Sequence, residues 1–152
     1  MGQEVRIFVS YSHKDEALRD QVVTHLGLLL RQGFVAVWHD RKIPPGDRWA
    51  KKIDEQLKAS QIILLLVSAD FISSDFCYGK ELDEAMKMDQ EGKARVIPII
   101  LRPVDWKDAP FGELLVLPKD GKPITTWSNQ DEAFVDVARG IREIVKAFLP
   151  NP

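Results

Sequence analysis

Cysteine is nearly absent from this chain, because Cys77 is the single one among 152 residues. A lone thiol excludes an internal disulfide and any metal site built from several cysteines. A dominant charge is missing as well, since 21 basic and 23 acidic residues leave a net charge of -2. A nearly neutral chain has no long-range field to attract nucleic acid. We therefore expect no direct nucleic-acid partner.

Long apolar runs are also absent, and the N-terminal residues contain no apolar signal-peptide region. We expect a cytoplasmic, soluble domain that does not enter a membrane. No Gly-x-Gly-x-x-Gly or Gly-x-x-x-x-Gly-Lys pattern occurs, which excludes the usual nucleotide-binding loops. The histidines His13, His25 and His39 lack metal-ligand spacing, and Asp40 beside His39 has no evident third ligand. We predict no metal site.

What the chain does contain is a regular alternation of apolar strands and amphipathic helices. Strands are predicted at Val5–Ser10, Val35–Trp38, Ile62–Val67 and residues 96–101 and 124–127. This order predicts right-handed crossovers and an α/β, flavodoxin-like fold. We expect a five-stranded parallel sheet in the order 2-1-3-4-5 with helices on both faces. Residues 1–149 are assigned to one domain and residues 150–152 to the start of a linker.

Single residues refine this prediction. Pro98 cannot donate a hydrogen bond to a neighbouring strand, so its strand should be irregular or lie towards an edge. Ser12 with Asp15, and Ser128 with Asp131, form Ser-x-x-Asp patterns that predict helix starts.

Polar side chains follow the first predicted strand. Tyr11, Ser12 and His13 precede a predicted helix, where they could bind an anion, although ordinary capping by Ser12 is the simpler interpretation. No acidic cluster stands at the end of this strand, which argues against a flavodoxin-like phosphoacceptor domain.

The loop at residues 39–47 is stiffened by two prolines, and Gly46 permits a turn. Trp38 and Trp49 bracket it, and Arg41 adds positive charge near its start. The loop could be a lid, an interaction surface or a plain surface connection.

Glu81 is predicted to lie in the first turns of a helix that follows an apolar strand. In an open parallel sheet, ligands bind outside the carboxyl ends of the strands, where such turns lie. Cys77 precedes Glu81 by four residues and would share its helix face. Cys77 is best interpreted as a small buried thiol. By position alone Glu81 is either a surface glutamate favoured by the helix dipole or a catalytic acid.

Several of these segments together resemble the Toll/interleukin-1 receptor (TIR) domain, particularly its bacterial form. The resemblance covers nearly the whole chain. It rests on the order and spacing of IFVSYSHKD at 7–15, WHDRKIPPGDRW at 38–49, LLLVS at 64–68, SDFCYGKEL at 74–82, and PIIL followed by RPVDW at 98–106. The family's fold is a five-stranded parallel sheet in flavodoxin-like order.

The resemblance implies one of two functions. Some TIR domains are signalling adaptors that only associate with other TIR domains, whereas others cleave NAD+ at the nicotinamide–ribose bond. The NAD-cleaving members carry a glutamate at the position that Glu81 matches. The resemblance therefore implies an NAD+ nucleosidase with Glu81 as its catalytic residue, with NAD+ as a substrate and no cofactor, and with ADP-ribose or a cyclic isomer as the product.

By the same resemblance, other side chains would contact the substrate or a neighbouring domain. Activity would arise when TIR domains assemble, in the effector domain of a larger immune or antiphage sensor. The expected substrate-binding residues are Tyr11, Ser12, His13, Asp40, Arg41, Gly46, Trp49 and Cys77, with Trp49 stacking on nicotinamide. The expected interaction loop is Pro44, Pro45, Gly46 and Asp47.

Overall fold

Four apolar segments form one parallel β-sheet. The computed structural model describes residues 4–43, 45–74 and 79–149. Its strands are β1 (Val5–Ser10), β2 (Val35–Trp38), β3 (Ile62–Val67) and β4 (Arg95–Ile100), in the order β2-β1-β3-β4. Every residue of the apolar run in β3 is buried, as expected for a strand covered on both faces. Pro98 lies in β4, the outermost full strand, which confirms the expected edge position.

The prediction of a fifth strand at residues 124–127 is wrong for the part of the chain that the structure describes. Ile124–Thr126 instead forms a 3-10 turn. Pro123 explains this difference, because its carbonyl oxygen accepts hydrogen bonds from the backbone N–H of Thr126 at 3.0 Å and from its hydroxyl at 2.8 Å. These local bonds replace the ladder bonds of a strand.

A single residue, Leu117, pairs with the outer edge of β4. Its N–H donates to Pro98 at 2.9 Å, and its carbonyl accepts from the N–H of Ile100 at 2.8 Å. Pro118 follows and has no N–H to continue the pairing. The described sheet is therefore four-stranded, in the order 2-1-3-4, with a one-residue bridge beyond it.

Helices cover both faces of the sheet, as predicted. Successive side chains of β3 point to opposite faces, so Leu64 packs in one apolar cluster and Leu65 in the other. Among the described residues, no helix is both long and apolar enough to cross a membrane. The helices are α1 (Glu16–His25), α2 (Gly27–Arg31), α3 (Trp49–Lys58), α4 (Ala69–Ile72), α5 (Lys80–Gln90) and α6 (Gln130–Phe148).

Two predicted helix starts are shifted. Ser12 accepts a hydrogen bond from the N–H of Lys14, but it caps a 3-10 turn at His13–Asp15, and α1 begins only after that turn. The last helix is capped by Asn129 rather than Ser128, because the Asn129 side chain accepts from the N–H of Glu132. Asparagine and serine are equally good caps, so spacing alone could not separate them.

Candidate functional site

A cleft of about 350 Å³ lies at the carboxyl end of β1. Its walls come from the turn after β1, from the start of the loop after β2, from α3, and from the segments before and at the start of α5. Six of the predicted site residues line it: Tyr11, Ser12, His13, Asp40, Trp49 and Glu81. Sequence reasoning missed Phe8, Val9, Ser10, Ile53 and Ser74, which also line it.

Tyr11 connects the turn after β1 to the loop after β2. Its hydroxyl donates to Asp40 Oδ1 at 3.0 Å and accepts from Nη1 of the buried Arg19 at 2.6 Å. The Arg19 guanidinium also lies over the Tyr11 ring, 4.8 Å from its centroid. Burial and the neighbouring Asp40 carboxylate raise the pKa of Tyr11 to about 12. The phenol is therefore a neutral donor at physiological pH.

Asp40 also receives a contact from His13, whose Nε2 lies 2.8 Å from Asp40 Oδ2. Both oxygens of this carboxylate therefore face side chains from the turn after β1. The adjacent His39 has a different environment, because its Nδ1 is buried with no hydrogen-bond partner among the described residues. Burial, together with the positive charges of Arg19 and Lys42, lowers the pKa of His39. His39 is thus a neutral imidazole that supports the loop rather than a cation.

Glu81 stands in the first turn of α5 and is partly buried at the cleft. Within the described residues it has no hydrogen-bond or ion-pair partner, although the Asp40 carboxylate at the same cleft contacts both Tyr11 and His13. Gly79 precedes the helix and offers no capping side chain. A carboxylate that is held by a helix and not neutralised by the protein can face a positive charge on a ligand.

Trp49 is the first residue of α3 and is 57% exposed, although it lines the cleft. An indole in this position offers one open face to a planar group. The remaining predicted residues are placed differently. Arg41 is exposed, pairs with Glu16 and does not line the cleft. Gly46 lies outside the cleft as well, in an exposed turn at a φ of 91°.

Pro45 and Asp47 flank Gly46 and are exposed, so the described part of the predicted interaction loop faces outward. Pro44 and Cys77 lie outside the described residues. Over the described ranges, no group of three or more His, Cys, Asp or Glu side chains could hold a metal ion.

A family model of the TIR domain matches residues 7–137. The chain belongs to the TIR domain family. Its fold is similar to the crystal structure of the TIR domain of the Toll-related receptor TRR-2 from Hydra magnipapillata. The TM-score is 0.56 at 19% identity, and the alignment covers 92% of this chain and 97% of that one. This similarity confirms the α/β fold of the TIR domain.

Three bacterial proteins are similar to this TIR domain in sequence. The uncharacterized protein y4lF of Sinorhizobium fredii is 54% identical over 137 residues, which cover 90% of this chain and 42% of that protein. The NAD(+) hydrolase PdTIR of Paracoccus denitrificans is 30% identical over 94 residues, 61% of this chain and 30% of that protein. The 2' cyclic ADP-D-ribose synthase AbTIR of Acinetobacter baumannii is 31% identical over 97 residues, 63% of this chain and 35% of that protein. The chain spans less than half the length of each relative.

One further group of polar residues in this TIR domain was not singled out from the sequence. Arg102 follows β4 and contacts the carboxylates of Asp15 and Asp70, and Ser68 also donates to Asp15. Asp15 and Arg102 are 87 positions apart, so only the sheet order brings them together. The one available signal was that residues 15, 68 and 102 each follow a predicted strand closely.

Proposed function

We propose that this TIR domain cleaves NAD+ at the nicotinamide–ribose bond and that Glu81 is its catalytic residue. The observation that carries the proposal is the place of Glu81. Its carboxylate has no partner among the described residues, and it lies at a cleft that also presents the Trp49 indole and the Tyr11–Asp40 pair. The names of two bacterial relatives, an NAD(+) hydrolase and a 2' cyclic ADP-D-ribose synthase, support the same substrate. NAD+ is the substrate, and the reaction needs no resident cofactor.

The chemistry suits a single carboxylate. When the bond between ribose C1′ and the nicotinamide nitrogen breaks, the electron pair leaves with neutral nicotinamide, and positive charge develops on the ribose. A fixed anion beside C1′ stabilises this charge in the transition state more than in the ground state. Because the leaving group already carries positive charge in NAD+, no strong general acid is required. Glu81 can also orient the ribose hydroxyl groups.

The acceptor decides the product. If the oxygen of water bonds to C1′ and releases its proton, the products are ADP-ribose and nicotinamide. If a nucleophilic group of the same molecule's ADP-ribose part bonds to C1′ instead and a proton is released, the products are a cyclic isomer of ADP-ribose and nicotinamide. In this proposal Trp49 stacks on the nicotinamide ring, and Tyr11, Ser12 and His13 lie along the ribose–phosphate part. Arg41, Gly46 and Cys77 remain proposed as supporting contacts.

Self-association belongs to the same proposal. Pro45, Gly46 and Asp47 are exposed and available to a second TIR domain, and concentrated or clustered chains should be the active form. Such a domain would act as the effector part of a longer immune or antiphage protein. The alternative is a signalling adaptor that only binds other TIR domains, in which case the loop matters but NAD+ is never cleaved.

The deciding experiment compares wild-type protein with Glu81→Gln, which removes the charge and keeps the size of the side chain. Nicotinamide release from NAD+ by clustered protein should fall by about 100-fold or more, as is common for loss of a group that stabilises transition-state charge. The matched control is Asp83→Asn, which removes an exposed carboxylate from the same helix turn without changing the cleft. Undiminished turnover in Glu81→Gln would refute the catalytic role. Complete inactivity of clustered wild-type protein would favour the adaptor.

Chromatographic separation of the products in the same assay distinguishes hydrolysis from cyclisation. It measures ADP-ribose and its cyclic isomers separately from nicotinamide, so the acceptor can be assigned without further variants.

A further inference from the structure

Four side chains form what we name the strand-end clamp: Asp15, Ser68, Asp70 and Arg102. Arg102 Nε donates to Asp15 Oδ1 at 2.9 Å, and its Nη2 donates to Asp70 Oδ2 at 2.7 Å. Ser68 donates to the other oxygen of Asp15 and accepts from the N–H of Phe71 at 3.1 Å, which caps α4. The clamp therefore joins the segments that follow β1, β3 and β4.

The members of this clamp differ in burial. The Asp15 side chain is only 2% exposed, whereas those of Arg102 and Asp70 are 35% and 33% exposed. A carboxylate as buried as Asp15 needs a cation and hydrogen bonds to replace its lost hydration, and Arg102 and Ser68 supply them. The hydrogen bond from Arg102 also lowers the pKa of Asp70, which keeps this second carboxylate charged.

The clamp joins two segments that each contribute a residue to the walls of the cleft. Asp15 is two residues beyond His13, which lines one wall, and both belong to the same 3-10 turn. Ser68 caps α4 and Asp70 lies in its first turn, and Ser74, which follows that helix, lines another wall of the cleft. Ser74 is tied back to α4, because its hydroxyl donates to the carbonyl of Phe71.

Arg102 itself is not among the described residues that line the cleft. Two of its nitrogens bind one carboxylate in each of these segments, in the forked geometry that a guanidinium offers and an ammonium group does not. Its backbone is fixed as well, since the N–H of the preceding Leu101 donates to the carbonyl of Val67 at 2.9 Å.

We propose that Arg102 is a positioning residue, which fixes the distance between the His13 wall and the Ser74 wall by holding Asp15 and Asp70 together. The kinetic part of this inference rests on the proposed function, whereas its structural part does not. Arg102 makes no contact with the substrate in this proposal. It acts through the two segments that carry the contacting residues.

The kinetic test is Arg102→Lys, which keeps the charge and removes the fork. We expect kcat for NAD+ cleavage to fall about 10- to 100-fold, because a displacement of about 1 Å in the reacting geometry has an effect of this size. KM should change less than about threefold, since the contacts that bind the ground state remain. Arg95→Lys is the matched control, because Arg95 is exposed at the opposite end of β4. A wild-type kcat in Arg102→Lys would overturn the inference.

A second, milder variant tests the same link in case Arg102→Lys does not fold. Asp70→Asn weakens the same link at a partly exposed position, so it should also lower kcat. In the double variant with Arg102→Lys, the loss should be smaller than the product of the two single losses, because both substitutions weaken the same Arg102–Asp70 hydrogen bond. Independent, multiplicative losses would contradict a shared action.

Amide hydrogen exchange gives a reading that does not depend on activity. Residues 68–74 should exchange faster in Arg102→Lys than in wild-type protein, while the buried strand at residues 62–67 should keep its protection. Unchanged exchange at residues 68–74 would overturn the clamp. If clustered wild-type protein releases no nicotinamide, the proposed function fails, but the exchange result still decides whether Arg102 holds the two walls.

Discussion

Replacing Tyr11 by phenylalanine tests the link between the turn after β1 and the loop after β2. The substitution removes one hydroxyl that donates to Asp40 at 3.0 Å and accepts from Arg19 at 2.6 Å. Both partners are charged, and such hydrogen bonds contribute about 1.5–3 kcal/mol each when well buried. In this variant Asp40 keeps its contact with His13, and Arg19 keeps its hydrogen bond to Asp20. We therefore expect Tyr11→Phe to lower the free energy of unfolding by about 1–3 kcal/mol near neutral pH.

The same hydroxyl predicts a pH dependence with a definite sign. The pKa of Tyr11 is about 12 in the folded protein, against an ordinary value of 10.0 for a solvated tyrosine. Below the unfolded value both states hold the proton, and the full stabilisation is present. Between these two values the unfolded chain loses the proton first, so the free energy of unfolding falls as the pH rises. The full shift corresponds to about 2.7 kcal/mol, and partial exposure of Tyr11 reduces it to about 1–2 kcal/mol.

The assay is urea unfolding of wild-type and Tyr11→Phe protein from about pH 8 to about pH 11. Lysines and the second tyrosine, Tyr78, are present in both proteins, so the difference in unfolding free energy isolates Tyr11. This difference should shrink by about 1 kcal/mol by about pH 11. Near-ultraviolet absorbance of the phenolate measures the pKa of Tyr11 independently. Asp40→Asn should lower this pKa towards its ordinary value, because it removes a neighbouring negative charge. A constant difference across the whole pH range would refute the reasoning.

Two further predictions concern stability. Ser68→Ala removes the cap that accepts from Phe71 and should lower the free energy of unfolding by about 1–3 kcal/mol in urea, whereas the exposed Ser73→Ala should change it by less than about 0.5 kcal/mol. Equal effects of the two serine variants would contradict the role of the cap. Gly112→Ala should destabilise by about 2 kcal/mol or more, because its new Cβ would lie 2.0 Å from the carbonyl oxygen of Lys107. The control is Gly27→Ala, where nothing lies within 4 Å of the added carbon and helix propensity favours alanine by up to about 1 kcal/mol. If the thermal midpoint of Gly112→Ala equals that of Gly27→Ala, the backbone around Lys107 moves away from the added carbon without loss of stability, and the prediction is wrong.

The strands of this fold could be predicted because their signals are local. Val5–Ser10, Val35–Trp38 and Ile62–Val67 are β-branched or continuously apolar, and the structure has strands with these same bounds. Residues 124–127 carry similar residue types, but the carbonyl of Pro123 captures the hydrogen bonds that a strand would need. The strand propensity of a segment does not show that a local turn competes with a neighbouring strand for its backbone hydrogen bonds.

The cleft could be predicted in part for a different reason. Parallel strands bring their carboxyl ends to one edge of the sheet, so Tyr11, Asp40 and Glu81 converge although they are far apart in sequence. Asp15 was interpreted as part of a capping pattern, whereas its side chain is buried and bonded to Arg102. A helix start and a buried ion pair use the same residue type. Only the three-dimensional arrangement separates the two.

The two sides of the cleft follow strands that occupy different positions in the sheet, one at an edge and one in the centre. β2 has four residues and, among the described strands, pairs only with β1. It leads into the loop that carries Asp40 and ends at Trp49. The side with Glu81 follows β3, which is paired on both edges and wholly buried. Substitutions in the loop after β2 should therefore change the packing of the core little, because this loop follows an edge strand. We expect substitutions in this loop to disturb the core less than substitutions on the side that bears Glu81.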